Sequence, residues 1–252
     1  MLRTRVMPCL LLRNGSLVKT IQFKNPKYIG DPINTVRIYN EQEVDELIFL
    51  DISATIENKP INYDLLQEIA SECFMPFTYG GGINTFEKAQ RVFSIGIEKI
   101  ALNSALFSSS DLPKKIVDTY GGQSLVASID VKKNVLGGYR VFTSSGSSKT
   151  KWSPVDFARY VENLGVGEIL LTAIHEDGRM LGYDLALIEA VAAAVNIPVI
   201  ACGGAGELID FRRAVDVGAS AVAAGSIVVY QSKLRGVLTN FPMQAELKRV
   251  LE

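Results

Sequence analysis

Histidine and cysteine are scarce in this chain, with one His and three Cys in 252 residues. A lone imidazole excludes a multi-His metal centre, and the scattered Cys9, Cys73 and Cys202 make neither a zinc cluster nor a disulfide framework. Three reduced thiols and no metal are expected. An excess of charge of one sign is also missing. With 26 Lys+Arg against 27 Asp+Glu and no basic run, the chain offers little to nucleic acid or to a membrane surface. No apolar run is long enough to span a bilayer, and the N-terminal stretch MLRTRVMPCLLLRNG carries no signal-peptide core. A cytoplasmic chain is expected. Apolar residues make up 48% of it, on a length that fits one large domain.

Short apolar, β-branched runs recur near residues 5–12, 46–52, 76–79, 98–102, 125–131, 168–173, 197–202 and 221–225. They lack polar alternation, as strands covered on both faces of a parallel sheet do. Amphipathic stretches separate them at 31–44, 62–73, 85–95, 112–120, 153–164, 184–195, 207–217 and 239–251. Several of these open on a capping residue: Thr85, Ser153 before Pro154, and Asp184. Eight such units in this length predict an α/β fold, a single (β/α)8 barrel of the TIM type spanning 1–252. A doubly wound sheet is the alternative, though it rarely repeats so evenly.

The chain also repeats itself. Residues 75–105 align without a gap on 197–227, an offset of 122 residues. Pro76 meets Pro198, Gly81-Gly82 meets Gly203-Gly204, Gly96 meets Gly218, and Ser104 meets Ser226. The same offset lays DELIFLD (45–51) on GEILLTA (167–173). A period of half the chain predicts two fused half-barrels, roughly 1–122 and 123–252.

In such a barrel the chemistry sits where the strands end at their carboxyl side. Each half supplies a small-residue loop there, Gly80-Gly81-Gly82 and Gly203-Gly204-Ala205-Gly206, followed one unit later by Asn103-Ser104 and Gly225-Ser226. Glycines let backbone N–H groups approach an anion, so two such sites suit a substrate phosphorylated at both ends. Taken singly, either loop reads equally as a tight β-to-α turn. Asp51 and Asp130 each end an apolar strand, where a carboxylate is too costly for the core and should face the mouth. Asp130 is the candidate acid or base; Asp51 is divided between substrate binding and loop capping. Lys19 could reach over the mouth to a phosphate, though by composition it reads as a solvated loop lysine; Asp177-Gly178 reads as a turn before it reads as a ligand contact, and His175 as an exposed loop residue. At the opposite ends of the strands stand Arg5, Glu46, Lys99 and Glu168. Two cations and two anions pointing inward predict a salt-bridge ring closing the floor, with a structural plug as its default role.

With these residues in view, the sequence resembles the cyclase subunit of imidazole glycerol phosphate synthase (HisF) over essentially its whole length. The resemblance is carried by FLDISAT, PFTYGGGI, KIALNSA, SIDVK, GEILLTAI, DGRMLGYD, ACGGAG and Gly30-Asp31-Pro32. It implies a barrel without cofactor, docked floor-down on a HisH-like glutaminase as a heterodimer. Ammonia would pass through a gate of Arg5, Glu46, Lys99 and Glu168 to a small phosphorylated substrate. The family's phosphate sites correspond to Gly81, Gly82 and Ser104, and to Gly203, Gly204, Gly225 and Ser226. Its other substrate-binding positions correspond to Lys19, Asp51, Asn103, Thr172, Asp177 and Gly178, and its second catalytic aspartate to Asp130.

One departure outweighs the matches. Where the family reads C-L-D-V at the first catalytic aspartate, this chain reads Cys9-Leu10-Leu11-Leu12. His175 and Arg179 likewise stand where the family usually carries Asp and Thr. Leucine transfers no proton, and general acid–base help is typically worth about 10²–10⁴-fold. Three functions follow from the resemblance: a cyclase impaired by Leu11, forming imidazole glycerol phosphate in histidine biosynthesis; a paralogue that delivers ammonia for sugar amidation in surface lipopolysaccharide synthesis through a separate amidotransferase; and a non-catalytic regulator of the glutaminase.

Overall fold

The structure, a computed structural model, describes residues 3–108, 110–231 and 235–252. Eight parallel strands close into a ring: β1 (Arg5–Arg13), β2 (Leu47–Asp51), β3 (Phe77–Gly80), β4 (Lys99–Leu102), β5 (Leu125–Lys133), β6 (Glu168–Ala173), β7 (Val199–Cys202) and β8 (Ala221–Ala224). Each pairs with the next in chain order, and β8 returns to β1 with Met7 opposite Ala223. This is a (β/α)8 TIM barrel.

Around it lie α1 (Pro32–Glu41), α2 (Tyr63–Glu72), α3 (Phe86–Ser94), α4 (Asp111–Tyr120), α5 (Pro154–Asn163), α6 (Leu185–Ala192), α7 (Leu208–Asp216) and α8 (Gln244–Leu251). The caps read from sequence operate: Thr85 Oγ1 accepts from Lys88 N at 3.3 Å, Ser153 Oγ from Asp156 N at 3.1 Å, and Asp184 Oδ1 from Leu187 N at 3.1 Å. Three helices are shorter than their patterns by three residues or more at one end: α1, α6, which ends at Ala192, and α8. α1 stops at Glu41 because Glu43 adopts a left-handed backbone, φ 52°. α8 starts only at Gln244, since Pro242 drives the residue before it out of helical conformation.

Strand alternation sorts side chains into two cores. On β1, Val6, Leu10 and Leu12 face the helices, whereas Met7 and Cys9 face the barrel interior. The outer core carries the large aromatics, such as Phe49 against Phe77 edge-on at 5.8 Å. Inside, Ile48, Val126, Leu170 and Ile200 form an apolar layer with Met7.

Two antiparallel additions project from the mouth. Ser16–Ile21 folds back on β1, and Lys24–Gly30 pairs with it in turn. Tyr139–Thr143 folds back on β5 with Phe142 opposite Asp130. The first corrects the expectation of a plain loop after β1: Asn14 and Gly15, at φ 52° and 79°, make the tight turn that an Asn-Gly pair favours. Among the described residues no helix is long and apolar enough to cross a membrane.

Candidate functional site

At the amino-terminal end of the barrel the four predicted ions meet. Arg5 Nη1 lies 2.7 Å from Glu46 Oε2, and Arg5 Nη2 lies 2.6 Å from Glu168 Oε1. Lys99 Nζ lies 3.0 Å from Glu46 Oε1 and 3.1 Å from Glu168 Oε2. Cations and anions therefore alternate around a closed ring. Thr78 Oγ1 adds a hydrogen bond to Glu46 Oε1 at 3.2 Å. Burial lowers the Arg5 pKa, but the two carboxylates more than reverse this and hold it above its ordinary value. The Met7–Ile200 layer sits directly above the ring, because each barrel strand brings its next inward residue there.

At the opposite end a cavity of about 380 Å³ opens between the strand ends. Asp130 is buried in its wall, and Asn103 Nδ2 donates to Asp130 Oδ2 at 3.2 Å and to Ser128 O at 2.9 Å. Burial, reinforced by the charge of Asp177, pushes the Asp130 carboxyl up to about 7. A carboxyl so placed can exchange a proton near neutral pH. Leu11, also buried, lines the same cavity. Below it Cys9 and Cys202 meet; their mutual hydrogen bond, then burial, pushes the Cys9 pKa well up and keeps it a thiol.

Lys19 corrects the composition-based reading. It lies on the Ser16–Ile21 strand, only 6% exposed, with Nζ 3.0 Å from Asp177 Oδ1. Thr20 Oγ1 donates to the other Asp177 oxygen at 3.2 Å. Burial opposes the Lys19 charge, yet Asp177 more than compensates and raises its pKa, so it is an ammonium. Asp177 is thus a buried anchor rather than a simple turn residue. Asp51 is largely committed to its own loop: Oδ1 accepts from Ser53 N, Ser53 Oγ and Ala54 N at 2.9, 2.7 and 3.1 Å. His175 is not the exposed loop residue expected, because its Nε2 lies 2.9 Å from Asp184 Oδ2.

The two glycine loops take up equivalent places after β3 and β7, and both line the cavity with Asn103, Ser104, Thr172, Gly178, Gly225 and Ser226. Neither loop tolerates a side chain. A Cβ on Gly81 would stand 2.6 Å from Asp51 O, and one on Gly204 only 2.1 Å from Gly182 O, both at positive φ. The Ser turns differ. Ser104 Oγ accepts from Ser144 N at 3.1 Å, whereas Ser226 Oγ is buried with no partner among the described residues. An orphaned hydroxyl beside glycine loops is suited to a ligand oxygen. Four contributors escaped the sequence reading: Thr20, Thr78, Ser144 and Lys88, the last hydrogen-bonded to Gly82 O at 3.3 Å. The signals available for them were the Asn14-Gly15 turn, the inward phase of β3 and the 122-residue offset.

A family model described as histidine biosynthesis protein matches residues 5–235. A Pseudomonas aeruginosa protein named "Putative imidazole glycerol phosphate synthase subunit hisF2" is 51% identical over 246 residues, covering 96% of this chain and 97% of its own length. A Vibrio vulnificus protein named "Putative imidazole glycerol phosphate synthase subunit hisF3" is 44% identical, covering 100% and 98%. "Imidazole glycerol phosphate synthase subunit HisF" of Petrotoga mobilis is 40% identical over 251 residues, covering 99% and 98%.

Proposed function

Since this chain belongs to the histidine biosynthesis protein family, among relatives named as HisF subunits of imidazole glycerol phosphate synthase, we propose that it is the ammonia-receiving barrel of a glutamine amidotransferase pair. A HisH-type glutaminase docks on the floor, and ammonia passes the ring of Arg5, Glu46, Lys99 and Glu168. The observation that carries this reading is the ring itself, closed by four ion pairs on the barrel axis below the mouth. The apolar layer above it favours neutral ammonia over ammonium, because an unpaired buried charge is far costlier to desolvate.

In the mouth, the Gly81-Gly82 and Gly203-Gly204 loops, with Ser104, Gly225 and Ser226, hold the two phosphates of a doubly phosphorylated ribonucleotide. Lys19, fixed by Asp177, contacts the phosphate at the second site. Asp51, Asn103, Thr172, Asp177 and Gly178 position the rest of the substrate. Asp130 moves the proton as ammonia is built into the imidazole ring of imidazole glycerol phosphate and the aminoimidazole-carboxamide ribonucleotide leaves with the other phosphate. Leu11 leaves this step without a second carboxylate, so cyclisation is slow, by a factor of about 10²–10⁴ if the missing group acts as a general acid or base.

Leu11 equally favours a second reading, in which the ring still conducts ammonia but the acceptor is another molecule, such as a sugar in surface polysaccharide synthesis served by a separate amidotransferase. The two are distinguished by product formed per glutamine hydrolysed, with a HisH-type glutaminase and the ribonucleotide substrate. The first reading expects cyclised product at a ratio well below one, because cyclisation is slow, that falls further in Lys99→Ala. Glutamine hydrolysis with no cyclised product supports the second. A ratio unchanged by Lys99→Ala contradicts the gate in either.

A further inference from the structure

The two ends of the mouth differ in charge. At the second-half end a Cβ built on Gly225 would lie 3.0 Å from Lys19 Nζ, so that ammonium rests on the Gly225 turn, already neutralised by Asp177 at 3.0 Å. At the first-half end Lys88 also lines the cavity, from the first turn of α3. Among the described residues its hydrogen bonds go to neutral oxygens, Gly82 O at 3.3 Å and Asn84 Oδ1 at 2.8 Å. Lys59, the other lysine on this rim, is ion-paired to Glu57.

The 122-residue offset puts Asp210 at the position equivalent to Lys88. Asp210 Oδ2 accepts from the amides of Gly206 and Glu207, both at 3.0 Å, closing the loop before α7. In the first half the start of α3 is capped by Thr85 instead. That releases position 88 from loop closure and replaces an anion there with a cation. An ammonium has three N–H donors, and two are spent on Gly82 O and Asn84. The third has no partner among the described residues and is available to the cavity that Lys88 lines.

We propose that Lys88 is an anion-binding residue of the mouth: it contacts a phosphoryl group seated on the Gly81-Gly82 loop and directs the more highly charged end of the ligand there. The inference rests on reading the mouth as a phosphate-binding cavity. A terminal phosphate monoester, carrying close to two negative charges at neutral pH, is the class of group suited to an ammonium that, beside glycine amides, has no ion pair among the described residues.

Inorganic phosphate titrated into the ¹⁵N-labelled full chain tests this, because the Gly82 and Gly204 amides report the two ends separately in one experiment. In the parent both amides should shift. In Lys88→Met the dissociation constant read at Gly82 should rise about five- to tenfold, roughly 1–1.4 kcal/mol, while that at Gly204 stays within about twofold. Lys88→Arg should keep most of the affinity at Gly82, which separates charge from local damage. An unchanged constant at Gly82, or an equal loss at both amides, overturns the assignment to Lys88. If phosphate moves neither amide in the parent, the phosphate reading of the mouth itself falls.

Discussion

Asp130→Asn should stabilise this protein strongly in alkali and much less in acid. Burial holds the Asp130 carboxyl at about 7, against 3.8 for the ordinary group. A raised carboxyl pKa means that the native state binds more protons than the unfolded chain between those two values. Stability is therefore lost as pH rises from about 4 to 7 and stays lower above that. Three pKa units correspond to about 4 kcal/mol of strain from a carboxylate that the fold poorly accommodates. The amide keeps an acceptor for Asn103 and carries no charge, so the substitution removes this cost. At pH 5 most of the cost is already absent in the parent, since the buried carboxyl is protonated. Urea unfolding of parent and variant should thus show a gain at pH 8 exceeding that at pH 5 by about 2–3 kcal/mol. An equal gain at both values, or a loss at pH 8, would refute the claim that Asp130 is a strained, proton-exchanging carboxyl.

Lys19→Met leaves Asp177 buried beside Thr20 without its cation, and should cost about 3–5 kcal/mol in urea unfolding; Asp177→Asn added to it should recover part of that. Gly204→Ala forces a Cβ to 2.1 Å from Gly182 O, whereas a Cβ on Gly96, also at positive φ, meets nothing within 4 Å. Gly204→Ala should lose at least about 2 kcal/mol more than Gly96→Ala in thermal unfolding, since only the former adds a clash to the left-handed strain. Lys99→Ala keeps Arg5 on both Glu46 and Glu168. It should therefore cost only about 1–3 kcal/mol by the same measurement, below the full cost of orphaning a buried carboxylate.

The barrel was legible because its signals are periodic. Uninterrupted apolar strands, capped helices at Thr85, Ser153 and Asp184, and the gapless offset of 122 residues all depend on local patterns. The floor was legible for a related reason: a charged residue at the inward phase of an otherwise apolar strand has nowhere to go but a partner. Arg5, Glu46, Lys99 and Glu168 meet as that argument requires. Lys19 and His175 depart from expectation because composition cannot show what covers a loop. Lys19 is buried only because the Asn14-Gly15 turn folds its strand back over the mouth, bringing it to an aspartate 158 residues away. Asp51 was legible as a mouth residue but not as a loop cap, since Ser53 supplies its donors only once the turn forms. Lys88 is legible only through the repeat, as the position where the two halves exchange charge.

The proposed function makes the mouth a preserved phosphate-binding cavity short of one catalytic carboxylate. Steady-state cyclisation of the family's ribonucleotide substrate, driven by excess ammonium salt, tests it without any glutaminase. Little turnover is expected in the parent and a rise of about 10²-fold or more in Leu11→Asp, as a second proton-transfer group joins Asp130 in the mouth. Rapid turnover in the parent, unimproved by Leu11→Asp, would contradict it.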